Sequence, residues 1–291
     1  MKVKLMMGLG VIFSFIALWA DQDYAIFVTE NRELIDLPEL AERLFQNDVI
    51  FFGEFHENSV LHHIQLELFR EIYNISSAVA LSMEMFERDV QPYLDAYLNN
   101  EIDAAEFQDH TRPWVNYDPD YKDLIEFARD HGLPVIAANV PRRYAASVHE
   151  RGSAVLQTIP PAERIYFAAS LRVINDEYRT RFINVMEENK FHGGMSLPGQ
   201  QLDNLYAAQC LKDDTMAESI VNFMLKNPEK KVIHITGDFH SNSRLGTVQK
   251  TIFLSPELKI AVITPVINEK ENMIFPEEKA SSGDYIILLR Q

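Results

Sequence analysis

Residues 49–56 read Val-Ile-Phe-Phe-Gly-Glu-Phe-His, an apolar run that ends in a glycine, a carboxylate and an imidazole. Similar apolar runs occupy residues 78–83, 134–140, 231–236 and 260–263. Near-continuous apolar runs of this length are typical of strands that are buried on both faces of a parallel sheet. Segments with helical periodicity lie between the runs. We therefore predict an α/β fold with a doubly wound, mainly parallel sheet.

The clearest helix signal follows the first run. Its apolar residues recur at helical spacing, with Asn58 or Ser59 as the N-cap; they are Leu61, Ile64, Leu68 and Ile72. Residues 121–131 predict another helix, which Gly132 and Pro134 end. Residues 284–289 predict a last strand at an edge of the sheet.

The middle of the chain departs from this alternation. Residues 141–226 contain no convincing strand and several helical stretches, of which residues 199–226 read as one long helix. We expect a helical subdomain here, inserted over the carboxyl edge of the strands. The whole of residues 21–291 is treated as a single α/β domain that includes this subdomain.

Composition excludes several classes of function. The 291 residues carry 27 Lys and Arg against 43 Asp and Glu, a formal net charge of −16. Such an acidic chain lacks the basic footprint that binding to phosphate backbones needs, so nucleic acid is excluded as the main partner. Cys210 is the one cysteine, which rules out an intramolecular disulfide and any multi-cysteine metal cluster.

The first twenty residues form a separate segment. Lys2 and Lys4 precede a stretch without charges, residues 5–20, that ends in Ala-Leu-Trp-Ala. A basic start, an apolar middle and a small-residue exit are typical of a secretory signal peptide, and an uncleaved membrane anchor is the alternative. No cysteine lies near the exit, so we do not expect a lipoprotein. The prediction is an exported protein, periplasmic or associated with the cell envelope.

Polar side chains come directly after four of the predicted strands. In open α/β sheets, ligands bind outside the carboxyl ends of the strands, so these positions are candidates for a functional site. The side chains at these positions are Glu54, His56, Glu84, Asn139 and His240.

These side chains support a hypothesis of hydrolysis. A Glu-x-His pair can hold a divalent metal or work as acid and base. A carboxylate at a buried strand end, such as Glu84, needs a cation or donors, and a salt bridge to Arg88 or Arg142 is the structural alternative. The hypothesis is a metal-dependent hydrolase, of peptidase or esterase type, with a Mn, Co or Zn site. Its metal-binding and catalytic residues would be Glu54, His56, Glu84 and His240.

Two further residues are candidate haem contacts. His192 lies in a Phe-His-Gly-Gly-Met hinge, where it can ligate haem iron or belong to a lid. Tyr206 lies on the long helix in a polar stripe with Gln209 and Asp213. That stripe is either an ordinary solvated face or a cleft-facing surface from which Tyr206 can donate a phenolate to ferric iron.

Several of these motifs together resemble the ChaN family of haem-binding uptake proteins, in the same order over roughly residues 30–265. The matching residues are Gly53-Glu54-Phe55-His56-Glu57-Asn58, Met83-Glu84-Met85-Phe86 with Gln91, Trp114, Ala138-Asn139-x-Pro141-Arg142, Ala208-Gln209-Cys210-x-x-Asp213-x-x-Met216-Ala217 and Gly237-Asp238-Phe239-His240. The superfamily includes the Tiki and TraB metalloproteases, and the Gly-Glu-x-His elements resemble those of erythromycin esterases.

The resemblance implies a function and partners. It implies a bacterial envelope protein of haem or iron acquisition that binds haem, with tyrosine ligation at a dimer interface. A homodimer on haem binding and an outer-membrane haem-uptake apparatus are the expected partners. Because Glu54, His56, Glu84 and His240 are all present, the metal-dependent hydrolase stays open as the alternative.

Overall fold

The computed structural model describes residues 23–191, 199–269 and 272–291. Within these residues, eight strands form one sheet. The strands are β1 (Tyr24–Val28), β2 (Leu34–Ile35), β3 (Val49–Glu54), β4 (Val79–Glu87), β5 (Val135–Asn139), β6 (Lys231–Gly237), β7 (Ile260–Asn268) and β8 (Tyr285–Arg290).

The sheet is mainly parallel, as predicted. Its strand order is β2-β1-β8-β7-β3-β6-β4-β5. Strands β3 to β8 pair in parallel, and β1 runs antiparallel to both β8 and β2. The predicted α/β fold with a doubly wound, mainly parallel sheet is therefore confirmed.

The expectation that the last strand lies at an edge is wrong. Strand β8 lies inside the sheet, between β7 and β1. Ile287 of β8 is opposite Ile26 of β1 on one side and Pro265 of β7 on the other. Strands β1 and β2 were not predicted from the sequence. Pairing between the two ends of the chain is not visible in a local pattern, so the pairing of β8 with β1 could not be predicted.

Nine helices surround the sheet in the described residues. They are α1 (Leu37–Leu44), α2 (Ser59–Ile75), α3 (Gln91–Leu98), α4 (Ala104–Thr111), α5 (Lys122–Asp130), α6 (Arg142–Arg151), α7 (Glu177–Phe191), α8 (Gly199–Lys226) and α9 (Gly246–Leu254). Asn58 caps α2 by accepting a hydrogen bond from the Leu61 amide, as predicted. None of the described helices is long and apolar enough to cross a membrane.

The described part of residues 141–226 holds helices and 3-10 turns and no strand, which agrees with the expected helical composition. Helix α8 packs directly on the sheet through Met216, Ile220 and Met224. The domain boundaries given above stay predictions, as does the signal peptide at residues 1–20, which lies outside the described residues.

The core has two layers, one on each face of the sheet. In β3, Ile50 and Phe52 pack on one face against α1 and α2, while Val49 and Phe51 pack on the other face against α8 and α9. All four of these side chains are fully buried. Burial on both faces explains why the strand sequences are continuously apolar rather than alternating.

The strand register brings three carboxyl ends together. Glu54, the last residue of β3, is opposite Gly237, the last residue of β6. On the other side of β6, Met83 of β4 is opposite Ile235, so that Glu84 follows at the same level. The polar residues that follow these strands therefore meet at one edge of the sheet.

Candidate functional site

A buried carboxylate and a half-exposed histidine form the first part of the site. Glu54 is 2% exposed, and its Oε1 accepts hydrogen bonds from the Tyr121 hydroxyl at 2.6 Å and from His56 Nδ1 at 2.8 Å. Its Oε2 accepts one from Gln65 Nε2 at 2.6 Å. Because a carboxylate only accepts, Nδ1 carries the proton and the pair fixes the orientation of the ring.

On the other side of the His56 ring, no hydrogen bond forms with the described residues. Its side chain is 41% exposed, and Trp114 contacts the ring edge to face with centroids 4.9 Å apart. The ring fits because residue 237 is a glycine: a Cβ there would lie 2.9 Å from His56 Nε2. Burial lowers the pKa of His56, but the hydrogen bond to Glu54 and the charge of Glu84 outweigh it, so the net pKa shift is upward.

The second part of the site is a buried histidine between two carboxylates. His240 Nδ1 donates to Asp213 Oδ1 at 2.7 Å, and its Nε2 lies 3.4 Å from Glu84 Oε1. Asp213 also accepts from Thr247 and Tyr178, and Glu84 Oε2 accepts from Thr236. All three ionisable groups are at most 6% exposed.

The charges in this second part stabilise one another. Burial lowers the pKa of His240, but Glu84 and Asp213 outweigh it and raise the pKa to about 10. Burial raises the pKa of Glu84, but the positive His240 holds it well below its usual range. The group is therefore a carboxylate–imidazolium–carboxylate chain at neutral pH, in which each charge is compensated.

The structure brings Glu54, His56, Glu84 and His240 to one edge of the sheet, but it gives no support to the metal alternative. In the part of the chain that the structure describes, no group of three or more His, Cys, Asp or Glu could hold a metal ion. Most of the oxygen and nitrogen atoms that would ligate a metal already hydrogen bond to one another or to neighbouring hydroxyl groups.

The second Gly-acid-x-His motif does not repeat the geometry of the first. Asp238 makes no hydrogen bond to His240; its Oδ2 accepts from Asn242 at 2.7 Å, and its buried Oδ1 has no partner in the part of the chain that the structure describes. Burial raises the pKa of Asp238 to about 6. The two motifs therefore differ, because the partner of His240 comes from helix α8 instead.

The two haem-contact candidates have different outcomes. Tyr206 is 2% exposed, and its hydroxyl donates to the Ile174 carbonyl at 3.0 Å. Burial raises the pKa of this phenol far above its usual value, so Tyr206 would have to leave its present position to ligate iron as a phenolate. His192 lies outside the described residues. Both assignments stay predictions.

Two other histidines lie near the site. His62 is 5% exposed and bonds Gln65 and the His56 carbonyl. His234 is a core histidine with Nδ1 bonded to Ser82. Burial lowers the pKa of His234 to about 3, so it is neutral, and its Nε2 has no partner within the described residues.

Several contributors to the site were not found from the sequence. Tyr121 and Gln65, which hold Glu54, are distant in sequence and carry no motif. Asp213 was noted as part of a polar stripe and of a motif that resembles the ChaN family, but not as the closest partner of His240.

Two clefts meet at His56 and Glu57. One, of about 570 Å³, includes Trp114 and Arg142, and the other, of about 650 Å³, includes Arg181 and Phe239. His56 therefore has access to ligands, whereas the buried Glu84–His240–Asp213 chain has little. The fold and the site define a class: doubly wound α/β proteins with a polar ligand site at the carboxyl edge of the sheet.

The family follows from comparison with known proteins. Residues 40–250 match the family described as haem-binding uptake, Tiki superfamily, ChaN. This match covers well over half of the chain, and the chain belongs to this family. The resemblance found from the motifs is confirmed.

A solved structure shares the fold. ChaN of Campylobacter jejuni, described with cofacial haem binding, has a TM-score of 0.69 and 20% identity, over 93% of this chain and 98% of that one. A mutant of the erythromycin esterase EreC in its open conformation has a TM-score of 0.49 and 13% identity, over 84% of this chain and 76% of that one.

One curated relative matches only locally. Protein RETICULATA-RELATED 5, chloroplastic, from Arabidopsis thaliana, is 23% identical over 124 residues, which make up 40% of this chain and 17% of that protein. The chain thus spans about a sixth of the length of this relative.

Proposed function

We propose that this protein binds haem in the bacterial cell envelope and takes part in haem and iron acquisition. The observation that carries the proposal is the family match over residues 40–250, whose description is haem-binding uptake. The likeness in fold to ChaN of Campylobacter jejuni supports it. The two clefts that meet at His56 offer space for a ligand of this size class.

The cellular setting is part of the same proposal. The signal-like segment at residues 1–20 supports export to the periplasm or envelope. We expect haem to favour a homodimer and an outer-membrane haem-uptake apparatus to be the partner. Light scattering after size exclusion, with and without haemin, tests the first point: a mass that stays monomeric on saturation with haemin would contradict it.

A haemin titration followed by absorbance tests haem binding itself. We expect a saturable shift of the Soret band with a defined stoichiometry. Metal analysis of the same sample tests the other cofactor: stoichiometric Mn, Co or Zn that disappears in His240→Ala would favour a metal site. An unchanged Soret band at every protein concentration would overturn the haem proposal.

A second candidate function is hydrolysis by general base catalysis, and the Glu54–His56 pair favours it. A histidine whose Nδ1–H is held by a buried carboxylate, and whose other nitrogen makes no hydrogen bond to a described residue, is arranged to activate water. The test is hydrolysis of p-nitrophenyl acetate. His56→Ala should lose the activity and His63→Ala, at an exposed neighbouring histidine, should keep it; equal rates would contradict catalysis by His56.

A further inference from the structure

Gln91 is a residue of the motifs quoted above to which the proposed function gives no role. It is the first residue of α3, directly after the 3-10 turn (Arg88–Val90) that follows β4. Its side chain reaches β5, the strand that ends the sheet on one side. The contacts of Gln91 are therefore contacts with an edge of the sheet.

The edge at β5 has no protection in its own sequence. None of the residues of β5 (Val135–Asn139) carries a charge, and all five are buried. Edge strands usually avoid pairing with another chain by being very short or by carrying charged side chains or proline. The opposite edge, β2, is two residues long and is flanked by Glu33 and Asp36. Strand β5 has none of these features, because burial on both faces of the sheet excludes a charge.

The backbone of β5 presents polar groups to the outside of the sheet. The Leu81 amide donates to the Pro134 carbonyl, so every second residue from Pro134 onwards faces β4. Val135 and Ala137 lie between these residues and direct their N–H and C=O groups away from β4. A cleft of about 390 Å³, which residues 134–137 help to line, lies beside the strand. Other elements of the fold therefore leave room along this edge.

The side chain of Gln91 bonds two of these outward groups. Its Nε2 donates to the Val135 carbonyl at 2.8 Å, and the Ala137 amide donates to its Oε1 at 2.7 Å. In a parallel pair, one residue of the neighbouring strand makes the same two bonds, to a carbonyl and to the amide two residues further on. The amide of Gln91 therefore takes the place of one residue of a ninth strand.

Asp95 fixes the orientation of this amide. Its Oδ1 accepts the second hydrogen of Gln91 Nε2 at 2.8 Å, from one helical turn further along α3. A reversed amide would turn Oε1 towards two acceptors, the Val135 carbonyl and the Asp95 carboxylate, and Nε2 towards the Ala137 donor. The side chain of Gln91 is thus held as a part of the fold rather than displayed to a ligand.

We propose that Gln91 caps the edge of the sheet and prevents β5 from pairing with β5 of a second copy of this chain. A second copy is the partner that this edge fits, because two identical uncharged strands can pair antiparallel about a twofold axis. Such pairing needs the Val135 carbonyl and the Ala137 amide, both of which Gln91 holds. Haem plays no part in this cap, so the tests use the haem-free protein.

Light scattering after size exclusion, over a series of protein concentrations, measures the association. Gln91→Ala should give a mass that rises with concentration to about twice that of the wild type. The matched control is Gln108→Ala, which removes a glutamine of α4 that bonds Asp118 instead and should behave like the wild type. Gln91→Asn has an amide one methylene too short for both bonds and should give the same result if Gln91→Ala does not fold.

A lysine at the same position separates protection of the edge from a loss of stability. Gln91→Lys loses the bond from the Ala137 amide, as Gln91→Ala does, but it places a charge beside the edge. We therefore expect Gln91→Lys to keep the mass of the wild type at every concentration. Association of Gln91→Lys as strong as that of Gln91→Ala would overturn the role of Gln91 as a cap.

Hydrogen exchange locates the surface through which the copies associate. The Ala137 amide should be protected in the wild type, exposed in dilute Gln91→Ala and protected again at concentrations where that variant associates. Association that leaves the Ala137 amide exposed would run through another surface and would overturn the proposal. The same holds if folded Gln91→Ala and Gln91→Asn both keep the mass of the wild type.

Discussion

Two strand ends of this molecule carry nearly the same four residues and hold their histidines in opposite ways. Residues 53–56 are Gly-Glu-Phe-His after β3, and residues 237–240 are Gly-Asp-Phe-His after β6. In the first, the acid of the motif bonds the histidine of the motif, which stays half exposed. In the second, the histidine is buried and bonded to Asp213 of α8.

The difference has a steric origin. Glu54 is long enough to reach back to His56, two residues away. Asp238 is one methylene shorter, and its Oδ1 lies 2.7 Å from where a Cβ on Gly53 would be, so it packs against β3 instead. The Glu54–His56 pair, here called the open pair, is therefore available for ligands. The buried Glu84–His240–Asp213 group joins α8 to the sheet edge. We infer that the open pair serves function and that the buried group serves stability.

The largest expected effect is the loss of the buried partner. Asp213→Ala leaves Glu84 as the remaining carboxylate partner of the His240 imidazolium. It also removes the acceptor of Tyr178 and Thr247. We expect the free energy of unfolding to fall by about 3–5 kcal/mol in urea titrations. Asp203→Ala removes an exposed acid of the same helix and should cost less than about 1 kcal/mol. Equal losses of stability in the Asp213 and Asp203 variants would contradict a stabilising role of the buried group.

The buried Glu84–His240–Asp213 group should also make the free energy of unfolding depend on pH in the alkaline range. The pKa of His240 is about 10 in the folded protein against 6.5 for an ordinary histidine, so the folded state holds a proton that the unfolded state releases. Its contribution is complete below pH 6.5 and is lost as pH rises towards 10. Thermal unfolding at several pH values should show a gap between wild type and His240→Gln that closes across this window. A constant gap would refute a charged His240.

The position of the His56 ring in the open pair depends on Gly237, and replacing Gly237 should have an intermediate effect on stability. Gly237→Ala places a Cβ 2.9 Å from the His56 ring and must displace it. We expect a loss of about 1–3 kcal/mol in urea, with a shift of the His56 resonances in NMR spectra. Gly199→Ala meets no atom of the described residues within 4 Å and is the control. Unshifted His56 resonances would show that the ring is not confined as described.

Asp238, the acid of the second motif, should give the smallest effect. Its pKa is about 6 when folded against 3.8 ordinarily, so this carboxyl costs stability above pH 6 and none below 3.8. Asp238→Asn keeps an acceptor for Asn242 and should raise the free energy of unfolding at pH 7 by about 1–2 kcal/mol. The gain should vanish in urea titrations at pH 4. An Asp238→Asn protein that is less stable than the wild type at pH 7 would contradict our description of Asp238 Oδ1 as an atom without a partner in the described residues.

The sequence predicted what local patterns encode. The apolar runs located β3 to β7, and the long helix was predicted as residues 199–226, which are the bounds of α8. The strand ends gave Glu54, His56, Glu84 and His240, because parallel strands bring their carboxyl ends to one edge. The edge position assigned to β8 was wrong, since β1 pairs with it across most of the chain.

The partners within the site could not be predicted in the same way. Which carboxylate holds which histidine depends on side-chain length and on a contact with α8, neither of which a motif contains. The same holds for Tyr121, whose hydroxyl reaches Glu54 from a distant segment. The cleft that includes Trp114 and Arg142 combines residues near positions 56, 112 and 142 and becomes visible only in the folded chain.

The most direct test of the distinction between the Glu54–His56 pair and the buried Glu84–His240–Asp213 group is one haemin titration of three proteins: wild type, His56→Ala and His240→Gln, each with its urea unfolding curve. Because both clefts include His56, we predict that His56→Ala binds haemin more weakly than the wild type and unfolds within about 1 kcal/mol of it. His240→Gln should lose stability and, while folded, bind haemin like the wild type. The opposite result, unchanged haemin binding in His56→Ala and lost binding in folded His240→Gln, would contradict the account.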